Sequence, residues 1–287
     1  MARTISGTEL AKRVKAEIFA RSQDFQAKYG RRPGLGVVLV GNDPASKKYV
    51  AGKESDCQVC DIRSLTVRLP ADVRESVLLD TVRDLNLNNE IDGVLVQMPL
   101  PPHIDARKVT AAIDVGKDVD CFHPENAGKL WTGGGRFAPC TPLGVLAMLD
   151  DTLGSSWCRG KHAVVIGRSN IVGRPMAELL LRRDMTVTVC HSATQQLWLH
   201  TKTADLVVSA AGFPGLLTEG HIKPGAVVVD VSMNRGADGK LCGDCDPTVA
   251  EVAGYVTPVP GGVGPMTRAM LMKNVMTAAE TAMASYD

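Results

Sequence analysis

Residues 161–181, KHAVVIGRSNIVGRPMAELLL, place a β-branched run, a loop with two glycines and a run of helical spacing directly after one another. Strand, glycine loop and helix in this order open a nucleotide-binding βαβ unit. Further short apolar runs follow at MTVTVCH, ADLVVSAAG, AVVVDVSM and GYVTP. This half of the chain therefore predicts a Rossmann-like, NAD(P)-binding α/β domain with a mostly parallel sheet, spanning residues 142–266.

The first half shows the same alternation of strands and helices. Buried strands are predicted at GLGVVLVG and IDGVLVQMPLP, and a third at DIRSLTVRL, with helices between them. The segment 267–287 has helical periodicity and no strand partner, so we expect it to pack back on the first domain. The chain thus predicts two α/β domains, the first formed by residues 1–141 and completed by the C-terminal helix.

The glycine loop also indicates a cofactor. Gly167 and Gly173 allow a tight turn and a close approach of backbone to a phosphate at the start of the helix, although Ser169 replaces the middle glycine of the usual pattern. Arg168 offers a planar donor fork for a phosphate. The second strand ends in CHSAT, with Ser192 where an acidic residue would bind the ribose hydroxyl of NAD. The absence of an acidic residue at the end of this strand therefore favours NADP over NAD.

Three polar residues and one polar segment in the first half are candidates for a site. Tyr49 and Lys53 stand four residues apart, so on a helix they share one face, although helical lysines usually stay solvated with their stems packed on a neighbour. Gln97 ends a buried strand, at the edge where α/β proteins bind ligands. The segment GKDVDCFHPENAGKL is predicted to be a polar loop whose carboxylates either bind a ligand or make turns.

Six ordered motifs carry a resemblance to a known family. The stretches YVAGK, DGVLVQMPLP, KDVD, PCTPLG, GRSNIVGRPM and PVPGGVGPMT resemble those of the bifunctional methylenetetrahydrofolate dehydrogenase/methenyltetrahydrofolate cyclohydrolases. The resemblance spans nearly the whole chain. It implies oxidation of 5,10-methylenetetrahydrofolate with NADP+, hydrolysis of the product to 10-formyltetrahydrofolate, and a homodimer formed through the second domain.

The resemblance also implies roles for single residues. Lys53 would be the catalytic lysine and Gln97 its hydrogen-bonding partner, Tyr49 would lie against the folate, and Asp120 would bind the pterin ring. The implied folate site further contains Val96, Met98, Pro260, Gly261, Gly262, Val263 and Gly264. The implied dinucleotide site contains Gly167, Arg168, Ser169, Ser192 and Met233.

Three positions depart from the family pattern. Cys121 follows KDVD where a glycine is usual, which concerns the conformation of that loop. Ala193 stands where Arg or Lys is common, so one contact to the 2′-phosphate is missing and the preference for NADP is less strict. The stretch TGGGRF is longer or looser than usual.

The charge balance bears on the kind of partner. The 287 residues include 32 Lys and Arg against 31 Asp and Glu, and only 4% are aromatic. Nucleic-acid modules use a basic face and stacking aromatics, and membrane surfaces attract basic segments. The N-terminus interleaves charges with apolar residues, unlike a signal peptide. We therefore expect a cytoplasmic protein that binds small molecules and neither nucleic acid nor membrane.

Eight cysteines include two CxxC pairs, Cys57 with Cys60 and Cys242 with Cys245. Thiolates at this spacing can bind zinc. The first pair falls on the predicted Lys53 helix and the second in a distant polar turn, so we expect reduced thiols and no metal.

Two other functions stay open at the level of sequence. A different two-domain Rossmann dehydrogenase, acting on a shikimate-like or amino-acid substrate, would explain the glycine loop but not the Lys53, Gln97 and Asp120 motifs. A folate- or nucleotide-binding protein without catalysis would not require a lysine such as Lys53.

Overall fold

The computed structural model describes residues 1–236 and 238–284. Over these residues the strands are β1 (Arg3–Thr4), β2 (Gly34–Val40), β3 (Arg63–Leu69), β4 (Gly93–Val96), β5 (His162–Ile166), β6 (Thr186–Cys190), β7 (Leu206–Ser209), β8 (Val227–Asp230), β9 (Asn234–Arg235), β10 (Leu241–Cys242) and β11 (Tyr255–Val256). The α-helices are α1 (Gly7–Tyr29), α2 (Pro44–Val59), α3 (Glu75–Leu87), α4 (Ala106–Ala112), α5 (Pro124–Thr132), α6 (Cys140–Leu153), α7 (Gly173–Leu181), α8 (Leu197–Thr201), α9 (Val249–Val252) and α10 (Val263–Ala284), with a 3-10 helix at Glu219–His221. In this part of the chain no helix combines the length and the apolar character needed to cross a membrane.

The chain forms two compact units. One contains Met1–Ala11 and Pro139–Thr267, and the other contains Lys12–Ala138 and the chain from Arg268 onward. We call them the six-stranded unit and the three-stranded unit after their main sheets.

The three-stranded unit is built on the parallel sheet β3-β2-β4. Every residue of β2 and β4 is buried, as expected for short apolar runs at the centre of an α/β layer. Valines of these strands pack with Leu78 and Leu85 of α3 in one hydrophobic core. The strands predicted at GLGVVLVG, DIRSLTVRL and IDGVLVQMPLP are therefore confirmed.

The C-terminal helix α10 contributes its second part to the three-stranded unit. The buried Asn274 side chain donates hydrogen bonds to the backbone oxygens of Val119 (2.7 Å) and Ala138 (3.1 Å). Met272 contacts Cys57 of α2 through their sulfur atoms, 3.7 Å apart. The prediction that the last helix packs back on the first domain is confirmed.

The six-stranded unit carries a parallel sheet in the order β1-β11-β8-β7-β5-β6. Its strand at one edge is β1, where Arg3 pairs with Tyr255. Residues 1–11 therefore group with this unit, whereas the sequence-based boundary placed them in the first domain. A two-residue strand has no periodicity to read, so its partner is set by contacts that are distant in sequence.

One predicted loop contains a helix. Within GKDVDCFHPENAGKL the structure has α5, which begins at Pro124. The imidazole Nδ1 of His123 accepts a hydrogen bond from the Glu125 N–H at 3.1 Å, and proline at the first helical position needs no hydrogen-bond partner. Because the whole segment is polar, these helix start signals could not be distinguished in the sequence from those of a loop.

Candidate active site

Lys53 and Gln97 meet in the three-stranded unit. Lys53 lies on α2, whose start is fixed by Asp43 accepting a hydrogen bond from the Ser46 N–H at 2.7 Å. Gln97 follows β4 directly, and its N–H bonds to the Val38 oxygen of β2. The Lys53 amine donates to Gln97 Oε1 at 3.0 Å, while Gln97 Nε2 donates to the Met98 oxygen at 2.7 Å. The amide is thus oriented with its oxygen toward the lysine.

Tyr49 lies one helical turn before Lys53 on α2, as predicted from their spacing. Its side chain is 43% exposed, which leaves part of its ring surface open to a ligand. Partial burial raises the pKa of Tyr49, so the phenol stays neutral at physiological pH. A neutral ring next to a lysine suits a flat, uncharged aromatic partner.

The segment that carries Asp120 runs beside β4. Val94 forms a parallel bridge with Asp118, and the Val94 N–H bonds to the Lys117 oxygen at 2.7 Å. Asp120 is half-buried. Val96, Gln97 and Met98 also belong to this part of the unit, since they end β4 and follow it.

Asp118 shapes the turn around Asp120. Its buried carboxylate accepts hydrogen bonds from the N–H groups of Phe122 (3.1 Å) and His123 (2.9 Å) and from Asn126 Nδ2 (2.9 Å). Burial nevertheless raises the pKa of Asp118. Cys121, within this turn, has φ +60, in the left-handed region that glycine enters without strain. The position where the family pattern has glycine therefore does require this backbone conformation, and Cys121 adopts it.

An ion cluster around the buried Asp56 braces α2 about one turn after Lys53. Asp56 lies almost fully buried between Lys15 of α1, at 2.8 Å, and Arg268 of α10, whose Nε is 3.3 Å away. The Arg268 guanidinium lies against the backbone of Gly52, where a Cβ atom would be 2.4 Å from Nη1. Glycine at this position allows the arginine to reach Asp56.

The glycine loop of the six-stranded unit follows β5. Gly167 has φ +124, and a Cβ there would lie 2.5 Å from the Ala210 oxygen. A Cβ on Gly173 would lie 2.1 Å from the Gly167 oxygen. Both glycines are therefore required by close backbone approach. Ser169 Oγ accepts hydrogen bonds from the N–H groups of Val172 (3.2 Å) and Gly173 (3.4 Å), and Arg168 is exposed.

The turn after β6 lies next to this loop, because β5 and β6 are neighbours and the Gly167 N–H bonds to the Cys190 oxygen. Ser192 and Ala193 are exposed in the turn. Thr194 Oγ1 accepts from the His191 N–H at 2.9 Å, which fixes the turn without a carboxylate.

The segment 260–264 belongs to the six-stranded unit: Pro260, Gly261 and Gly262 precede α10, and Val263 and Gly264 begin it. Gly261 has φ +103, and its oxygen accepts hydrogen bonds from Gly7 N, Thr8 N and Thr8 Oγ1. A Cβ on Gly262 would lie 2.5 Å from the Pro258 oxygen. Gly261 and Gly262 are thus used to pack backbone on backbone.

Asp244 lies between Cys242 and Cys245, and the sequence analysis does not single it out. Its side chain is buried and accepts hydrogen bonds from donors in β7, in the loop after β7 and in the loop after β8. Burial opposes ionisation, but hydrogen bonds from Ser232, Ser209 and Asn234 outweigh it and lower the pKa of Asp244. Met233 lies between two of these donors in the loop after β8. An aspartate in a polar turn gave no hint of such distant partners.

All eight cysteines carry free thiols. Burial raises the pKa of Cys57 and of Cys60 to about 12, and burial also raises the pKa of Cys245. These thiols stay protonated at neutral pH. The described residues contain no group of three or more His, Cys, Asp or Glu side chains arranged to bind a metal ion.

Comparisons with known proteins cover both units. Residues 5–120 match the model of the tetrahydrofolate dehydrogenase/cyclohydrolase catalytic domain. Residues 139–283 match the model of the tetrahydrofolate dehydrogenase/cyclohydrolase NAD(P)-binding domain.

Individual relatives are similar over nearly their whole length. The bifunctional protein FolD of Variovorax paradoxus is 53% identical over 282 residues, which is 98% of this chain and 99% of that protein. The crystal structure of the bifunctional FolD dehydrogenase/cyclohydrolase from Campylobacter jejuni superposes with a TM-score of 0.95 at 44% identity, covering 98% of this chain and all of that one. The Trypanosoma brucei enzyme, solved with NADP and an inhibitor, has a TM-score of 0.93 at 38% identity and covers 98% of both chains.

Proposed function

The chain belongs to the tetrahydrofolate dehydrogenase/cyclohydrolase family, and from this premise we propose that it oxidises 5,10-methylenetetrahydrofolate with NADP+ and hydrolyses the resulting 5,10-methenyl compound to 10-formyltetrahydrofolate. The observation that carries the proposal is the 3.0 Å contact between Lys53 and Gln97 at the carboxyl end of β4. It places an amine and a non-titrating amide where a parallel sheet presents ligands.

The six-stranded unit fits a dinucleotide. Gly167 and Gly173 bring backbone close together at the start of α7, and the turn after β6 has no acidic residue that would repel a 2′-phosphate. NADP+ supplies the hydride acceptor for the oxidation. In our proposal Gly167, Arg168, Ser169, Ser192 and Met233 hold it, with Arg168 paired to a phosphate.

The three-stranded unit binds the folate in this proposal. Tyr49 offers the face of its ring to the p-aminobenzoyl group, and the Asp120 carboxylate accepts hydrogen bonds from the pterin edge. Val96 and Met98, which end and follow β4, complete the folate contacts within this unit. Orientation is the protein's main contribution to the oxidation, since the reacting carbon must be held near its acceptor.

The hydrolysis assigns an acid–base role to Lys53. Water forms a C–O bond to the methenyl carbon and loses a proton, and N5 takes up a proton as its bond to that carbon breaks. The remaining hydroxyl proton leaves as the formyl C=O forms on N10, so one proton is released overall. The Lys53 amine, within hydrogen-bond reach of the Gln97 amide oxygen, moves these protons. Gln97 fixes the amine without adding a charge next to the cationic substrate.

We further propose that the protein is a cytoplasmic homodimer joined through the six-stranded unit. Eight free thiols suit a reducing compartment. Trp198 and Leu199 of α8 and Val189 of the edge strand β6 expose apolar side chains, which a partner copy would cover.

Sedimentation should show a dimer for the native chain and a monomer for Trp198→Glu. A dimer that persists in the variant would move the interface elsewhere.

The decisive experiment follows absorbance with purified protein. Oxidation of 5,10-methylenetetrahydrofolate is measured separately with NADP+ and NAD+, and hydrolysis is measured with supplied 5,10-methenyltetrahydrofolate. We expect both steps, with NADP+ preferred. A folded protein that performs neither step would refute the proposal, and a preference for NAD+ would show that the turn with Ser192 and Ala193 does not select the phosphate.

A further inference from the structure

Asp244 links the loops of the six-stranded unit that lie nearest the proposed dinucleotide site. We infer that Asp244 is a positioning residue for NADP binding, whose buried carboxylate fixes the loops after β7 and β8 without touching the cofactor. This inference rests on the proposed function, because it assigns the fixed loops to a dinucleotide.

Each carboxylate oxygen binds a different set of donors. Oδ2 accepts from Ser209 Oγ (2.7 Å), Ser232 Oγ (2.7 Å), Ala211 N (2.9 Å) and Gly212 N (3.3 Å). Oδ1 accepts from Phe213 N (2.7 Å) and Asn234 Nδ2 (3.0 Å). One side chain thereby satisfies successive N–H groups of the loop after β7, the Ser232 hydroxyl of the loop after β8 and the Asn234 amide at the start of β9. The loop after β7 has no helix or strand at these positions to impose this shape, and β9 is only two residues long.

The strand order shows why these loops matter. The chain passes from β5 outward to β6 on one side, and β7 then lies on the other side of β5. Such a reversal leaves a crevice beyond the carboxyl ends of the strands, where doubly wound sheets bind dinucleotides. The loops after β7 and β8 form the side of that crevice opposite the turn after β6.

A direct contact connects Asp244's loops to the glycine loop. The Gly167 backbone approaches the Ala210 oxygen so closely that a Cβ on Gly167 would lie 2.5 Å from it. Ala210 immediately precedes Ala211, whose N–H is bound to Asp244. A shift of the loop after β7 would therefore displace the surface against which the glycine loop is packed.

The buried position of Asp244 separates positioning from direct binding. The residue has no exposed surface, so it cannot contact a ligand itself. Met233, by contrast, is 45% exposed between Ser232 and Asn234, which both donate to Asp244. The carboxylate fixes both ends of the short stretch that presents Met233.

Two serines give a matched test. Ser209 and Ser232 both donate to Asp244 Oδ2 at 2.7 Å, but Ser209 belongs to β7 itself, whereas Ser232 tethers the loop after β8 and also accepts from the Gly212 N–H. A purely structural carboxylate predicts equal effects of the two alanine variants. Positioning predicts that only Ser232→Ala weakens NADP binding.

The experiment measures NADP+ binding by calorimetry, KM for both substrates, and hydrolysis of 5,10-methenyltetrahydrofolate without dinucleotide. We expect Ser232→Ala to raise Kd and KM for NADP+ about fivefold and Asp244→Asn at least about tenfold, with Ser209→Ala within about twofold of wild type. Folate KM and methenyl hydrolysis should stay near wild-type values in each folded variant.

Equal effects of the two serine variants on NADP+ binding, or an equal rise of KM for folate, would overturn the inference. The serine pair decides the matter even if Asp244→Asn does not fold. Wild-type protein that binds NADP+ but catalyses neither step would refute the proposed function alone, while wild-type protein that does not bind NADP+ would refute both.

Discussion

Lys53 in the three-stranded unit and Asp244 in the six-stranded unit are held in opposite ways. Lys53 is half-buried on the surface of α2 and donates to Gln97, a residue outside its own helix. Asp244 is fully buried and accepts hydrogen bonds from two loops and a strand end. The lysine can be exchanged without disturbing the backbone, whereas the aspartate determines where backbone lies. Chemistry and geometry are therefore assigned to different kinds of residue in the two units.

The largest expected effect is on the chemistry of the three-stranded unit. Lys53→Met keeps an apolar stem of similar length but removes the amine that moves protons, so methenyl hydrolysis should fall by about a hundredfold or more. The free energy of unfolding should change by less than about 1 kcal/mol, since the ammonium is a partly exposed group. Absorbance of the methenyl compound and urea unfolding measure the two quantities.

Lys47→Met is the matched control, because Lys47 is exposed on the same helix. It should retain wild-type hydrolysis. If Lys53→Met retained it as well, the amine would not be the acid–base group. A large loss of stability in Lys53→Met would instead mean that Lys53, like Asp244, is needed to hold the backbone in place.

A substitution in the glycine loop should have the opposite effect to Lys53→Met, because it displaces backbone and leaves the catalytic side chains unchanged. Gly173→Ala places a methyl group 2.1 Å from the Gly167 oxygen, so the loop must move and the protein should lose about 2–3 kcal/mol of stability. NADP+ binding should weaken while methenyl hydrolysis persists. Thermal unfolding and calorimetric titration measure these effects.

Gly128→Ala provides the comparison for this substitution. Gly128 lies within α5 with no atom near the added methyl group, so alanine should stabilise the protein by about 0.5–1 kcal/mol. Equal destabilisation by the two substitutions would contradict the argument from close backbone approach.

A third substitution tests whether the Asp56–Arg268 ion pair fixes α2 as Asp244 fixes its loops. Gly52→Ala should destabilise the native chain by about 1 kcal/mol or more, because Arg268 is held against Gly52 by its ion pair with Asp56. In an Arg268→Ala background the same change should be neutral or stabilising, since alanine is the better helix former. The two substitutions should show a coupling of about 1 kcal/mol in a double-mutant cycle followed by urea unfolding. Additive effects would mean that the arginine moves aside freely.

The sequence predicted those features that depend on near neighbours. The strands β2 and β4 are short β-branched runs, and helical spacing alone puts Tyr49 and Lys53 on one face. Gln97 could be anticipated because ligands collect at the carboxyl ends of parallel strands. Its contact with Lys53 follows once α2 packs beside β2, whose neighbour in the sheet is β4.

Other features depend on partners that are far away along the chain. Arg268 reaches Asp56 across more than two hundred positions, and the donors of Asp244 come from β7, from the loops after β7 and β8, and from β9. The pairing of β1 with β11 joins the two ends of the six-stranded unit. Helix α5 was missed for a local reason, because its start signals lie in a segment as polar as a loop. The left-handed conformation of Cys121 likewise has no signal in the cysteine itself.

The smallest expected effects concern pH and set two buried carboxylates against each other. Burial raises the pKa of Asp118, so the native state disfavours its charge, and stability decreases as pH rises from the unfolded value of about 3.9 through the raised native value. For Asp244 burial is outweighed by hydrogen bonds that lower the pKa. Its contribution is therefore present above about pH 3.9 and is lost as pH falls through the lowered native value.

Asparagine at each position removes the titration. Urea unfolding between about pH 3 and about pH 6 gives the free energy of unfolding that each variant loses relative to the native chain. As pH rises over this range, the loss caused by Asp244→Asn should grow and the loss caused by Asp118→Asn should shrink. If the two losses changed with pH in the same direction, the two carboxylates would be stabilised in the same way. Opposite slopes would show that Asp118 occupies its site at an electrostatic cost, whereas Asp244 is buried in its charged form because so many donors converge on it.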